Sequence, residues 1–172
     1  MTPTDFLRRF SVPCVYHFTD ERNIPLIRQN DGLLSLAELR RRGIEPPAPG
    51  GNDWSHEADA RVGVDEYVHL CLFNEHPMEF RAREDGRIRN TRFLQIQPAV
   101  LHCEGIRFTQ DVSNKAGVRL LTLEEAVQAL DFSVIYDRTD WRDPQVQERR
   151  KLAKKYELLV PSHIPLTLFH RI

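Results

Sequence analysis

The sequence predicts an α+β fold in a single domain that spans residues 1–172. Residues 67–73, "YVHLCLF", carry apolar side chains on both faces, which is typical of a central strand. Several other segments begin with helix-capping sequences and are therefore predicted as helices. Strands and helices follow one another without a regular strand–helix–strand order, and this favours α+β over a doubly wound parallel sheet.

The overall composition is that of an ordinary globular protein. The chain has 24 basic and 25 acidic side chains, a net charge of −1, so it has no overall attraction to nucleic acid or to an anionic membrane. No apolar run approaches the ~18 residues of a membrane span, and the first residues lack the apolar core of a signal peptide. Three cysteines without a CxxC pair indicate free thiols in a reducing compartment. We therefore expect a soluble cytoplasmic protein that does not bind membranes.

The first half of the chain is predicted to open with a strand at residues 14–18. A helix follows at 21–30, because Asp20 is a good N-cap and Gly32 ends the apolar pattern. A capping box at residues 35–38 opens a short second helix. Residues 45–52, "EPPAPGGN", contain too many prolines and glycines for regular structure. A loop of this kind is either a functional element or an irregular surface connection without a function of its own.

The second half is predicted to contain four more strands and two helices. The capping box "TLEE" starts one helix, and Asp143 followed by Pro144 at the first helical position starts the other. Alternating apolar residues indicate the strands. The strands lie at 93–97, 105–109, 156–160 and 164–172, and the helices at 122–130 and 143–155.

Histidines and cysteines lie close together at two places, but their spacing is not that of a zinc site. His69 shares a strand face with Cys71, and His102 precedes Cys103. Two such pairs fall short of a structural metal signature, and core packing is the simpler interpretation. We expect no metal.

Two polar features have both a structural and a functional interpretation. His17 and Thr19 lie where the first strand meets its helix, which is either a packed corner or a ligand site beside free backbone N–H groups. Glu157 opens an apolar strand in "KKYELLVP". It is either a glutamate that faces water from an edge strand or a carboxylate at the floor of a cleft, where it could stabilise a positively charged transition state.

Basic residues cluster at 40–42, 81–92 and 149–155, and each cluster is either a solvated face or a contact surface for nucleic acid. Three aromatic residues before the last cluster, Tyr136, Trp141 and Phe132, either stack on bases or belong to the core. The candidate nucleic-acid-binding residues are Arg149, Arg150, Lys154, Lys155 and Trp141.

Three blocks of this sequence resemble the DarT-type DNA ADP-ribosyltransferase toxins. They read "VYHFTDERNIPLI…GLLS", "DEYVHLCLFNEHPM" and "KKYELLVPSHIPLTLF", and they run in order from about residue 14 to the C-terminus. The resemblance implies an ADP-ribosyltransferase-like split mixed β-sheet with flanking helices around an NAD cleft. It also implies transfer of ADP-ribose from NAD⁺ to a base in single-stranded DNA without a metal, countered by a macrodomain-type antitoxin.

The resemblance also assigns roles to individual residues. Glu157 would be the catalytic glutamate, and His17 would act with it beside the nicotinamide. The essential arginine would be Arg61, with Arg40, Arg41 and Arg42 as rivals, because the segment between the first two blocks departs from the family pattern. The residues that would bind the cofactor are His17, Thr19, Asn23, Leu33, Arg61 and Tyr67. Two other functions stay open, namely an RNA or protein acceptor and a non-catalytic nucleic-acid-binding module.

Overall fold

The computed structural model describes residues 1–51 and 53–172, and its main feature is a six-stranded antiparallel sheet. The strand order in this sheet is β5–β6–β3–β1–β4–β8, and β2 pairs with β7 in a separate two-stranded sheet. The strands are β1 (Val15–Asp20), β2 (Gly32–Leu34), β3 (Tyr67–Cys71), β4 (Thr91–Ile96), β5 (Arg107–Thr109), β6 (Glu157–Pro161), β7 (His163–Pro165) and β8 (Phe169–Arg171).

Eight α-helices are found in the described part of the chain. Several begin as the sequence predicts: the side chains of Thr122 and Asp143 accept hydrogen bonds from backbone N–H groups in the first turns of their helices. The helices are α1 (Pro3–Phe10), α2 (Ile24–Gln29), α3 (Leu36–Arg41), α4 (Asp53–Val62), α5 (Pro77–Glu84), α6 (Leu123–Ala129), α7 (Ser133–Tyr136) and α8 (Pro144–Ala153). None of the helices described here is long and apolar enough to cross a membrane.

The predicted α+β class is confirmed. Four helices, α1, α4, α5 and α7, were not predicted, so the chain opens with α1 rather than with a strand, and the structure corrects three further details. Strand pairs within the described residues are antiparallel throughout rather than mixed. The predicted helix at 21–30 divides into a 3₁₀ turn, Glu21–Asn23, and α2. The predicted strand at 164–172 divides into β7, a 3₁₀ turn and β8, because β7 pairs with β2 whereas β8 pairs with β4 in the other sheet. In the predicted loop 45–52, residue 52 lies outside the described residues.

The β2–β7 pair depends on a glycine. Gly32 has a φ of +135° and lies so close to β7 that a Cβ atom there would overlap the carbonyl group of Ile164. This close approach buries both Ile164 and Leu33, the residue after the glycine. The small sheet therefore closes one side of the space in front of β1 and β3.

Candidate active site

A cavity of about 630 Å³ lies in front of β1 and β3, and loop 45–51 and β2 form other parts of its wall. The volume falls within the range of about 300–1,000 Å³ that is usual for small-molecule sites. Six residues that the sequence analysis assigned to catalysis or cofactor binding lie in its lining: His17, Thr19, Asn23, Leu33, Tyr67 and Glu157.

Glu157 is the buried carboxylate of this cavity, with 5% of its surface exposed. It is the first residue of β6, an interior strand, and its cross-strand partners are Cys71 on β3 and Thr109 on β5. The alternative of a glutamate that faces water from a sheet edge is therefore wrong. The backbone N–H of Ser113 donates to Glu157 Oε2 at 3.1 Å.

Two histidines face the two oxygens of this carboxylate. His69 Nδ1 lies 3.5 Å from Glu157 Oε2, and His76 Nε2 lies 3.5 Å from Oε1. Burial by itself would raise the pKa of Glu157, but the hydrogen bond and the attraction of His69, together with His76 and Ser113, outweigh burial and lower it. The structure thus keeps a deeply buried carboxylate in its charged form.

The two histidines differ in charge. Burial alone would lower the pKa of His69, but its hydrogen bond with Glu157 and the attraction of Glu157 and Asp59 raise it to about 9. His76 has a lowered pKa, mainly because it is buried. Its Nδ1 accepts the Met78 N–H at 3.3 Å, so Nε2 carries the proton of the neutral ring. Nε2 lies near Glu157 Oε1 but makes no hydrogen bond within the described residues. One oxygen of Glu157 therefore faces an imidazolium and the other a neutral N–H group.

His17 is neutral, because burial lowers its pKa to about 4. Its Nδ1 donates to the backbone carbonyl of His69 at 3.0 Å, so Nε2 is left as an acceptor. The chain thus fixes both the tautomer and the ring orientation of His17 in the cavity wall. Its neighbour Thr19 is 7% exposed, and its hydroxyl accepts from the side chain of Asn23 at 3.0 Å.

The side-chain amide of Asn23 binds the proline-rich loop. Its Nδ2 donates to the carbonyl of Ala48 at 2.7 Å, and its Oδ1 accepts the N–H of Ala48 at 3.0 Å. With the bond to Thr19, three of the four hydrogen-bonding positions of this amide are filled by protein groups. Asn23, which the sequence analysis expected to hold the cofactor, thus binds the loop in the cavity wall and itself lines the cavity.

The structure separates the four candidate arginines. Arg61 lies exposed in the last turn of α4 and is not among the residues that line the cavity. Of its three rivals, Arg40 lines the cavity, and its guanidinium forms an ion pair with Asp65 at 3.3 Å. Helix α3 turns Arg41 and Arg42 to other partners, which include Glu38 for both. Of the four candidate arginines, Arg40 is therefore the one that lines the cavity.

Three of the basic residues proposed to bind nucleic acid on α8 already have protein partners. Arg149 donates two hydrogen bonds to Asp131, at 2.6 and 2.9 Å. Arg150 donates to a backbone carbonyl of α7 at 3.2 Å, and Lys154 pairs with Glu75 at 2.8 Å. These contacts dock α8 on its neighbours, so the side chains are only partly available for phosphates.

The other two proposed residues differ from each other in exposure. Lys155 is half-buried at the end of α8. Trp141, in the loop before α8, is 67% exposed, and the guanidinium of Arg142 lies 5.4 Å from the centre of its ring. An exposed indole with a cation over one face suits base stacking.

Sequence reasoning missed His76, Ser113 and Asp59, and it interpreted His69 as a core residue. The signal for His69 was present, because it shares a strand face with Cys71, and Cys71 is the register partner of Glu157. Only the pairing of β3 with β6 brings these groups together. Within the described ranges there is no group of three or more histidine, cysteine, aspartate or glutamate residues that could hold a metal ion.

Comparison with known proteins identifies the family. A family model described as "ssDNA thymidine ADP-ribosyltransferase, DarT" matches residues 16–172, nearly the whole chain. The chain belongs to the DarT family. A comparison with curated proteins gives no match.

Solved DarT structures share this fold. DarT from Thermus sp. 2.9 in complex with ADP-ribosylated ssDNA superimposes with a TM-score of 0.67 at 19% identity, covering 92% of this chain and 79% of that one. Thermosipho africanus DarTG in complex with ADP-ribose gives 0.65 at 19% identity, covering 91% and 42%. The Thermus protein in complex with NAD⁺ gives 0.57 at 19% identity, covering 92% and 79%.

Proposed function

We propose that this chain transfers ADP-ribose from NAD⁺ to the base of a thymidine in single-stranded DNA, with Glu157 as its catalytic carboxylate. Membership of the DarT family supports the reaction. The observation that carries the proposal is a buried, ionised glutamate in the wall of a ligand-sized cavity that also contains the neutral ring of His17.

The residues of the cavity fit a dinucleotide. It is large enough for an elongated polar ligand and offers both an apolar wall, which includes Leu33, and several polar groups. His17 and Thr19 would line the nicotinamide and its ribose, and Arg40 would neutralise the pyrophosphate. The Thermus relative has been solved with NAD⁺ and with carba-NAD⁺, which supports the same substrate here.

The chemistry assigned to Glu157 follows from its charge. Cleavage of the nicotinamide–ribose bond makes the ribose carbon cationic, as in glycoside hydrolysis. A carboxylate held ionised beside that carbon stabilises the cation, and it can accept a proton from the incoming base. The backbone N–H of Ser113 fixes the orientation of the carboxylate, so little reorganisation is needed during the reaction.

The acceptor and partners are part of the proposal. A complex of the Thermus relative with ADP-ribosylated ssDNA supports a DNA acceptor. The target base must be unstacked for its reactive atom to enter the cavity, and single-stranded DNA meets this need at the lowest cost. A macrodomain-type antitoxin and a cytoplasmic location belong to the same proposal.

The test is the substitution Glu157→Gln, which keeps the size of the side chain and removes its charge. We expect transfer of labelled ADP-ribose from NAD⁺ to a thymidine-containing oligonucleotide to fall about 10²- to 10³-fold. NAD⁺ should still raise the thermal stability of this variant, because a ligand that binds the native state stabilises it. Glu148→Gln on the outer face of α8 is the matched control, since Glu148 is 73% exposed. Full activity of Glu157→Gln contradicts the assignment.

The acceptor is tested by offering DNA, RNA and protein in one assay. We expect label on the single-stranded oligonucleotide that contains thymidine, and none on a matched oligonucleotide without it. Labelling confined to RNA or protein would end the DNA assignment while it left NAD⁺ chemistry in place. NAD⁺ binding without labelling of any acceptor would instead indicate a non-catalytic module.

A further inference from the structure

We propose that His69 is a positioning residue for Glu157, a fixed cation that holds the buried carboxylate ionised and oriented toward the cavity. This inference rests on the proposed function, because it explains how Glu157 keeps the form that the reaction needs. His69 lies in the second sequence block, but the resemblance to the family gave it no role in the site.

The ring of His69 is fixed at both nitrogens. Its Nε2 donates to the carbonyl of Val64, 2.9 Å away in the turn that precedes β3. Its Nδ1 then lies 3.1 Å from the hydroxyl of Ser113 and 3.5 Å from Glu157 Oε2. Both ring nitrogens thus have polar partners, as buried polar groups require, and the partners of Nδ1 are the carboxylate and the serine that binds it. The backbone thus aims one edge of the imidazole at the carboxylate.

Ser113 connects the two partners. Its N–H donates to Glu157 Oε2 at 3.1 Å, while its hydroxyl lies beside His69 Nδ1. Ser113 is 3% exposed and its bond to Glu157 is buried, whereas the contact with His69 is partly buried. His69 lies on β3, Glu157 on β6 and Ser113 in the segment after β5. His69 and Ser113 therefore approach the same oxygen of Glu157 from two directions. Neither the carboxylate nor the imidazole can rotate without breaking a buried or partly buried hydrogen bond.

Titratable groups from three elements face His69. Glu157 on β6 and Asp59 on α4 favour its protonated form, and burial, together with the charge of His69, lowers the pKa of His76, which lies before α5. These attractions outweigh burial and raise the pKa of His69 to about 9, so the ring is an imidazolium at neutral pH. Without it, burial would favour the protonated form of Glu157. A protonated glutamate has no charge with which to stabilise a cation.

Two substitutions separate charge from hydrogen bonding. His69→Gln places an amide near the Nε2 position and keeps a donor for Val64, and His69→Asn places one near Nδ1 and keeps a donor for Glu157. Neither amide carries charge. The control is His102→Gln, because His102 is exposed at the end of a 3₁₀ turn and does not line the cavity. Each variant is first checked by thermal unfolding with and without NAD⁺.

The measurement is the pH dependence of kcat and KM for transfer to a thymidine-containing oligonucleotide. We expect His69→Gln and His69→Asn to lower kcat at neutral pH about 10- to 100-fold with the KM for NAD⁺ within about twofold. Activity of both should recover as pH rises, because Glu157 then ionises only at higher pH. Wild-type activity should lack this rise, because its Glu157 is already ionised at neutral pH. Wild-type kcat and an unchanged pH profile in either variant overturn the proposal.

A second readout does not depend on activity. NMR titration of the histidine ring signals should give His69 a midpoint near 9 in the wild-type protein and a clearly lower one in Glu157→Gln. A wild-type midpoint below neutrality overturns the proposal even if the enzyme is active. If the wild-type protein transfers no label to any acceptor, the proposed function fails, while this titration still decides whether His69 and Glu157 form the charged pair. The titration uses only the wild-type protein and Glu157→Gln, so it can be carried out even if the His69 variants do not fold.

Discussion

Asn23 holds Ala48 at both of its backbone polar groups, with one side-chain amide that accepts the N–H of Ala48 and donates to its carbonyl. The bonds are 3.0 and 2.7 Å long, and Ala48 is 2% exposed although it lies in a loop of prolines and glycines. A loop without secondary structure of its own is thereby fixed over the cavity. Arg87 also binds this loop, because its guanidinium donates to the carbonyl of Gly50.

Asn23→Ala is therefore expected to loosen the loop and weaken NAD⁺ binding. Loss of these buried bonds should lower the free energy of unfolding by about 1–3 kcal/mol. The KM for NAD⁺ should rise about tenfold, the equivalent of about 1.4 kcal/mol. Chemical denaturation and steady-state kinetics measure the two effects. Asn90→Ala, at an exposed amide that bonds to Glu21, is the control. A folded Asn23→Ala protein with wild-type KM would contradict the role.

The choice between Arg40 and Arg61 is open to direct comparison. Arg40 lines the cavity and Arg61 does not, so Arg40→Ala should raise the KM for NAD⁺ about tenfold or more by removing the cation for the pyrophosphate. Arg61→Ala should leave it within about twofold. Isothermal titration with NAD⁺ checks the affinity of both variants. A loss confined to Arg61→Ala would contradict the structure-based choice and restore the one made from sequence.

These cases show what the sequence predicted and where it stopped. The fold class and most strand positions were predictable, because period-two patterns and capping residues are local signals. The positions of His17 and Glu157 in the cavity wall were expected only through the family resemblance, because the local pattern left a packed corner and an edge strand as alternatives. The contact between Glu157 and His69 was not, because it depends on the pairing of two strands some 90 residues apart. The break of the last predicted strand at Pro165 likewise reflects a choice between two sheets, which a local pattern does not encode.

Asp131 provides a pH-dependent contribution to stability. The hydrogen bonds from Arg149, followed by those from Ser133 and Val134, outweigh burial and lower the pKa of Asp131 to about 2. A lowered pKa in the folded state means that the contribution is fully present above about pH 4 and is lost as pH falls toward about 2. Asp131→Asn should thus cost about 1–2 kcal/mol at neutral pH, a modest figure because the Arg149 side chain is 45% exposed.

Denaturant unfolding at neutral pH and near pH 2.5 checks this prediction, since the difference between Asp131→Asn and wild type should shrink at the lower pH. Asp140→Asn is the control, because Asp140 is exposed and its carboxylate accepts from the backbone of Arg142. A difference that is equal at both pH values would mean that the charge of Asp131 contributes nothing to stability.

Among the five residues proposed to bind nucleic acid, Trp141 is the one whose side chain is largely exposed and not used in an ion pair. It precedes α8, which leads directly into Glu157, and it is 67% exposed with Arg142 over its ring. Stacking of one base on an aromatic ring contributes about 1–3 kcal/mol, so Trp141→Ala should weaken binding of single-stranded DNA about 5- to 150-fold.

The affinity is best measured in the Glu157→Gln background by fluorescence anisotropy, because turnover then does not consume the oligonucleotide. Leu152→Ala is the matched control, since Leu152 is an apolar residue of α8 that is 58% exposed. NAD⁺ should stabilise the Trp141→Ala protein as much as its parent, because the indole does not line the cavity. Equal DNA affinity for the Trp141→Ala and Leu152→Ala proteins would place the path of the strand elsewhere. In that case base stacking on Trp141 would not explain DNA binding near α8. The basic side chains of this region would not replace it directly, because Arg149 and Lys154 are already paired with Asp131 and Glu75.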